Sequence, residues 1–227
     1  MAPSGAATLV INEVLYDPDT GGTDAGGEWV EIYNRGDTDV SFGGWSLRDH
    51  ARAVPLPDIV VPTHGFAVIA ASDSFFERYP GFDGIAAWLG GRIGNGLGND
   101  GDSLELVAPS GAVVDAVSWG DDASVFNPPV DPVASGHSIE RSPAGADTNA
   151  VADFVDNAAP SPGRAFVSAD GNPKQQFGQR TVEIIEASGR SQLRWLPWAL
   201  VALSGAALCG AVGWRAVDTL RSRTPSP

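Results

Sequence analysis

Cysteine is almost missing from this chain of 227 residues: the single thiol, Cys209, has no partner for a disulfide and no second thiol to share a metal ion. A disulfide scaffold and a Cys-based zinc site are therefore excluded, and the redox compartment stays unread. Lysine is scarcer still in the long N-terminal part. Residues 1–164 hold no lysine and seven arginines against 24 acidic residues, a net charge of −17. Residues 165–227 reverse the sign, with seven basic residues against four acids, a net of +3. A nucleic-acid partner is excluded, because neutralising phosphates needs clustered Lys and Arg. The acidity suits solubility, cation binding or a salty exterior.

Catalytic signatures are missing as well. No Gly-x-Ser-x-Gly elbow, phosphate-binding loop or dinucleotide fingerprint occurs. The three histidines, His50, His64 and His137, are scattered, with no spacing suited to zinc. His137 and Ser138 are adjacent and would point to opposite faces of a strand, so they do not form a triad. The acidic pair Asp121-Asp122 lacks anything that would set a second carboxylate across a cleft. An enzyme is not expected. No basic start and apolar core precede the small-residue opening Met1-Ala-Pro-Ser-Gly, so no secretory leader is visible. Either a leader is missing upstream of Met1, the reading favoured here, or the chain is a cytoplasmic tail-anchored protein.

Long apolar runs are absent with one exception. Residues 195–214, opening on Trp195 and closing on Trp214, carry no charge. As a helix, such a run spans a hydrocarbon core of about 30 Å. Trp195, Trp198 and Trp214 sit at its ends, where amphipathic rings favour the headgroup layer. Arg180, Arg190 and Arg194 precede it, and Arg215, Arg221 and Arg223 follow, a tie that leaves the orientation undecided by positive charge. A short basic tail is the commoner inner end of an exported, C-terminally anchored protein. The expected organisation is a flexible N-terminus over residues 1–7, a β domain over 8–165, a stalk over 166–192, a transmembrane helix over 193–215 and a basic tail over 216–227. The domain is expected to face outward from a cell membrane.

The body reads as short strands between Gly, Pro and Asp turns. Candidates are residues 8–15, 29–33, 45–48, 59–61, 66–71, 103–107, 113–119 and 138–140, rich in β-branched and aromatic side chains. Pro109-Ser-Gly111 reads as a hairpin turn, and a single helical turn is expected at 73–79 with Ser72 as its cap. In the second strand Trp29, Glu31 and Tyr33 share one face, Val30 and Ile32 the other. Strands at this spacing predict an all-β sandwich.

Several segments, taken in order, resemble the lamin tail domain family in its prokaryotic form. They are Val10-Ile-Asn-Glu-Val-Leu-Tyr-Asp-Pro18, Gly27-Glu-Trp-Val-Glu-Ile-Tyr-Asn34, Val40-Ser-Phe-Gly-Gly-Trp-Ser-Leu-Arg-Asp49 and Gly65-Phe-Ala-Val-Ile69. Further along come Gly96-Leu-Gly-Asn-Asp-Gly-Asp-Ser-Leu-Glu-Leu106, Gly111-Ala-Val-Val-Asp-Ala-Val117, Gly136-His-Ser-Ile-Glu-Arg141 and Ala159-Pro-Ser-Pro-Gly-Arg164. Each is weak alone; the ordered set over residues 8–165 is specific. The resemblance implies an immunoglobulin-like β-sandwich that serves as an interaction module, often on exported proteins and sometimes beside hydrolase domains. Within that frame Trp29 and Trp45 are expected as core anchors, Asn12, Asn34 and Asp49 as turn-binding side chains, and Glu140-Arg141 as an ion pair or cap near Pro160.

One loop imitates a calcium site. From Asp17 to Glu28 the acids Asp17, Asp19 and Glu28 fall at positions 1, 3 and 12, with Asp24 between them and Gly22 at position 6. Two departures count against it: Gly21 stands where an acid or Asn is usual, and Glu28 opens a strand, not a helix. The aromatic residues Trp88, Trp119, Phe75 and Phe76 are candidates for stacking on carbohydrate or protein. The leading expectation is a membrane-anchored, non-catalytic adhesion or interaction module that binds cell-wall polymers or surface proteins. The alternatives are a calcium- or glycan-binding accessory domain that recruits a separate enzyme, and a hydrolase with an unrecognised acidic site.

Overall fold

The computed structural model of the chain describes residues 8–20 and 24–167. The N-terminal seven residues, most of the stalk, the apolar run with Trp195, Trp198 and Trp214, its flanking Arg194 and Arg215, and the basic tail lie outside the described residues. Among the described residues no helix is long and apolar enough to cross a membrane.

Twelve strands and one short helix follow in order: β1 (Leu9–Leu15), β2 (Trp29–Asn34), β3 (Val40–Ser41), β4 (Ser46–Arg48), β5 (Ala53–Pro55), β6 (Val60–Val61), β7 (Phe66–Ala70), α1 (Ser74–Arg78), β8 (Ile85–Trp88), β9 (Gly101–Val107), β10 (Val113–Gly120), β11 (Ser138–Arg141) and β12 (Phe154–Asn157). One sheet runs β12-β11-β1-β2-β7-β8 and a second runs β10-β9-β4-β5, with β3 and β6 forming a small pair. All pairings are antiparallel except β7 with β8. This is the expected immunoglobulin-like β-sandwich.

The main core draws Leu9, Ile11, Ile32 and Ile69 from the first sheet and Leu47, Leu104, Leu106 and Val117 from the second, all essentially without solvent exposure. Each such side chain contributes about 1.5–3 kcal/mol on burial. Trp119 is fully buried there and stacks on Tyr16 at 4.9 Å between ring centroids, its indole N–H donating to the Gly98 carbonyl at 2.9 Å. Its expected availability for a ligand is thereby corrected. Trp45 is half-buried against the same core.

The six-stranded sheet is covered on its outer face as well. Leu15, Trp29, Val68, Ala70 and Phe75 form a second cluster, in which Trp29 meets Phe75 and Tyr79 edge-on. Helix α1 supplies that cover. It begins one residue later than a Ser72 cap would place it, because the Ser72 hydroxyl is turned to the Gly26 carbonyl at 2.7 Å.

A bulge in β1 decides what the outer face contains. Ile11 pairs with Ile32 and Glu13 with Glu31, which leaves Asn12 as the extra residue. Before the bulge, Leu9 and Ile11 enter the main core; after it, Val14 and Tyr16 do so, and Glu13 and Leu15 turn outward. Without the extra residue, simple alternation from Ile11 would have aimed Glu13 at the core. Asn12 secures the bulge: its Oδ1 accepts from the Gly145 N–H at 2.9 Å and its amide donates to Glu31 at 3.0 Å. Ile11 loses regular pairing there. Its N–H donates to Asp115 at 2.7 Å, and its carbonyl accepts from Arg141 Nε at 2.8 Å.

Candidate functional site

Three glutamates meet on the outer face. Glu140 on β11, Glu13 on β1 and Glu31 on β2 stand directly opposite one another across adjacent strands, and none has solvent exposure. Like charges so placed repel. The segment after β12 closes over them. The Ser161 N–H donates to Glu13 at 3.1 Å and its hydroxyl to Glu140 at 3.1 Å, while the Gly163 N–H donates to Glu31 at 2.5 Å. The Asn157 amide reaches Glu140 at 2.7 Å, and the Ser138 hydroxyl reaches Glu13 at 2.5 Å. One oxygen of Glu13 and one of Glu140 remain buried without a partner. Burial, aided for Glu140 by the neighbouring Glu13 charge, pushes the Glu13 carboxyl up to about 7 and that of Glu140 to about 9. Burial and then Glu13 raise Glu31 well above its ordinary range. Proton uptake by the row, with Glu140 protonated at neutral pH and Glu13 about half so, relieves the repulsion and much of the desolvation penalty. Sealed from solvent, these carboxyls fasten the closing segment to the sheet.

The expected Glu140–Arg141 ion pair does not form, because neighbours in a strand face opposite sides. Arg141 points between the sheets, fully buried. There it donates to both Asp115 oxygens at 3.0 Å and to Asp153 at 3.2 Å, with its guanidinium 4.4 Å above the Phe154 ring. Asn34 and Asp49 do bind turns: Asn34 holds Gly36, Thr38 and Val61, and Asp49 accepts from the Ala51, Arg52 and Asn95 N–H groups.

The acids of the calcium-like loop do not converge. Asp17 and Asp24 are bridged by the Asn99 amide, at 3.2 and 2.7 Å. Asp19 places its carbonyl on Arg78. Glu28 enters the protein interior beside the start of β2, where its Oε1 accepts from the Leu97 N–H at 3.1 Å. Burial raises its carboxyl to about 8. No three of Asp17, Asp19, Asp24 and Glu28 offer oxygens close enough to share an ion.

The fold does gather a group that the linear spacing hid. His50 after β4, Asp102 at the start of β9 and Asp122 after β10 come together at one end of the four-stranded sheet. The other histidines each meet one acid, His64 with Asp37 at 3.2 Å and His137 with Asp156 at 2.8 Å.

Among the described residues β8 is the edge strand of the six-stranded sheet; it exposes Ile85 and half of Trp88, and Phe76 of α1 meets Trp88 edge-on at 5.7 Å. The Leu89 N–H donates inward to the Ala70 carbonyl. Alternation therefore puts the backbone groups of Ala86 and Trp88 on the outer side. An open cavity of about 600 Å³ adjoins this edge. It is lined by Pro80–Gly84, which lead into β8, by Pro162 and Gly163, and by two arginines, Arg78 and Arg164.

A search of curated proteins found no match. A family profile described as Lamin Tail Domain matches residues 2–121, just over half of the chain and eleven segments of the fold from β1 through β10. The strands β11 and β12 and the closing segment lie beyond that match yet complete the six-stranded sheet and seal its carboxyl row. On the profile match and the β-sandwich together, the chain belongs to the lamin tail domain family.

Proposed function

We propose that this protein is a membrane-anchored, non-catalytic interaction module that displays its sandwich at the cell surface and binds an extended segment of a surface protein along β8. Family membership supports the general role, since lamin tail domains are typically non-catalytic interaction modules. The observation that carries the finer reading is the outer edge of β8 with its aromatic pair. The outward N–H and C=O groups of Ala86 and Trp88, which have no partner among the described residues, are a template for an added strand, and an edge left open in this way is otherwise an aggregation hazard. Trp88, 50% exposed, and Phe76, 38% exposed, supply apolar anchors beside it. Arg78 and Arg164, in a domain otherwise dominated by acids, favour acidic side chains on the partner. The apolar run 195–214 between tryptophans and arginines supports anchoring.

The test is cross-linking capture by the full chain in neutral detergent, from surface-protein and wall-polymer fractions separately. Capture of a surface protein that falls at least about tenfold in both Trp88→Ala and Ala86→Pro is the expected result. Capture of wall polymer alone would replace the strand-addition reading with a glycan-stacking one. Capture indifferent to both substitutions would remove β8 as the contact surface.

A further inference from the structure

We propose that His50, Asp102 and Asp122 form a binding site for a divalent transition-metal ion of the zinc class. The three side chains each present a ligand atom, and these atoms all lie within 4.8 Å of one another. Imidazole beside carboxylates is a donor set that suits zinc and its neighbours and not calcium or magnesium, which take oxygen alone. His50 and Asp122 are 72 residues apart, so only the fold brings them together.

Each ligand is oriented from behind. Asp122 accepts the Ser124 N–H on Oδ1 at 2.7 Å, which leaves Oδ2 facing His50 Nε2 at 2.5 Å. Asp102 accepts the Ser103 N–H at 2.8 Å and the Gly98 N–H at 3.0 Å. The turn that carries His50 is fixed by Asp49 through the Ala51 and Arg52 N–H groups. Such supporting hydrogen bonds are the usual partners of metal ligands. A fourth donor atom, the hydroxyl of buried Ser103, lies 3.1 Å from the same ring nitrogen.

The local charge is unbalanced. Among the described residues neither Asp102 nor Asp122 pairs with an arginine; His50 is the only cationic group that either acid meets. Ligands at about 2.0–2.2 Å from zinc stand roughly 3.3 Å from one another in a tetrahedral arrangement. The 2.5 Å contact must open by less than about 1 Å, which the exposed His50 ring can supply by rotation. His64 and His137, each with a single acid, lack the second carboxylate that makes the cluster.

The experiment is calorimetric titration of the full chain with zinc alone, in neutral detergent, without a histidine tag and in a Cys209→Ser background that removes the chain's thiol. One zinc per chain is expected, with binding that weakens on acidification because protons compete with the metal for its ligands. His50→Ala and Asp122→Asn should each lower the affinity at least about tenfold, with metal-free melting temperatures near the parent's, while His64→Ala and His137→Ala bind as the parent does. Because His50 is largely exposed, its removal should leave the fold intact. The proposal is overturned by the absence of saturable one-to-one binding, by His50→Ala binding as the parent, or by equal losses in the His64 and His137 variants. Equal His50-dependent binding of calcium would overturn the transition-metal assignment.

Discussion

Arg141 is a fully buried cation that joins the two sheets. It replaces the pairing that the bulge takes from Ile11 and neutralises Asp115 and Asp153 inside the sandwich. Removing one partner of a buried pair leaves an uncompensated charge, at a cost of about 3–5 kcal/mol. Arg141→Leu should therefore lower the urea midpoint by that equivalent, and Arg141→Leu with Asp115→Asn should recover part of the loss. Glu140 behaves in the opposite sense. Its carboxyl already carries a proton at neutral pH, so Glu140→Gln should leave stability near the parent value at pH 5 and raise it at pH 9. Melting curves at the two pH values check this; a loss at both would mean that the carboxyl is needed as a carboxylate.

At the scale of elements, the strands with β-branched or aromatic alternation were legible in the sequence: β1, β2, β4, β7, β9, β10 and β11 all fall where periodicity and turn residues predict them. The Pro109-Ser-Gly111 turn is likewise present, with the Gly111 N–H donating to Ala108. β8 was not legible, because Ile-Ala-Ala-Trp is short and weakly β-forming and owes its conformation to parallel pairing with β7. The carboxyl row was hidden for a different reason. It depends on the one-residue bulge at Asn12 and on cover from a segment about 150 residues further along the chain, and neither leaves a local signal. The histidine–aspartate cluster was hidden in the same way, since spacing along the chain says nothing of two turns and a strand start meeting at one end of a sheet. Asn12 tests the bulge as an element. Asn12→Ala removes the acceptor for Gly145 and a donor to Glu31, and it should cost about 1–3 kcal/mol in chemical denaturation. Trp88→Ala, at a half-exposed edge, should change stability by no more than about 1 kcal/mol while removing partner capture.

Over the whole domain, the buried acids set the pH response. Glu13, Glu28, Glu31 and Glu140 all have folded-state affinities for protons raised above the unfolded value of 4.5, to about 7, 8 and 9 where values are resolved. Their stabilising contribution is complete below pH 4.5 and is lost progressively as pH rises toward about 9, because the unfolded chain then binds fewer protons than the folded one. Asp153 works the other way. Despite its burial, hydrogen bonds from the Thr148 hydroxyl and backbone and the Arg141 charge lower it, so its contribution is lost in acid. Maximal stability is expected near pH 5, with the melting temperature several degrees lower at pH 9; a flat profile would show that the carboxyl row is not protonated.

The proposed function has the lamin-tail sandwich displayed outside the membrane by the apolar run 195–214. Its most direct test is surface labelling of intact source cells whose own gene carries an epitope within residues 1–7, compared with cells in which that gene is cut short after residue 192. The account predicts that antibody labels unpermeabilised cells and that only the full chain stays with the membrane after an alkaline wash. Labelling that appears only after permeabilisation, or equal retention of the shortened chain, would contradict it.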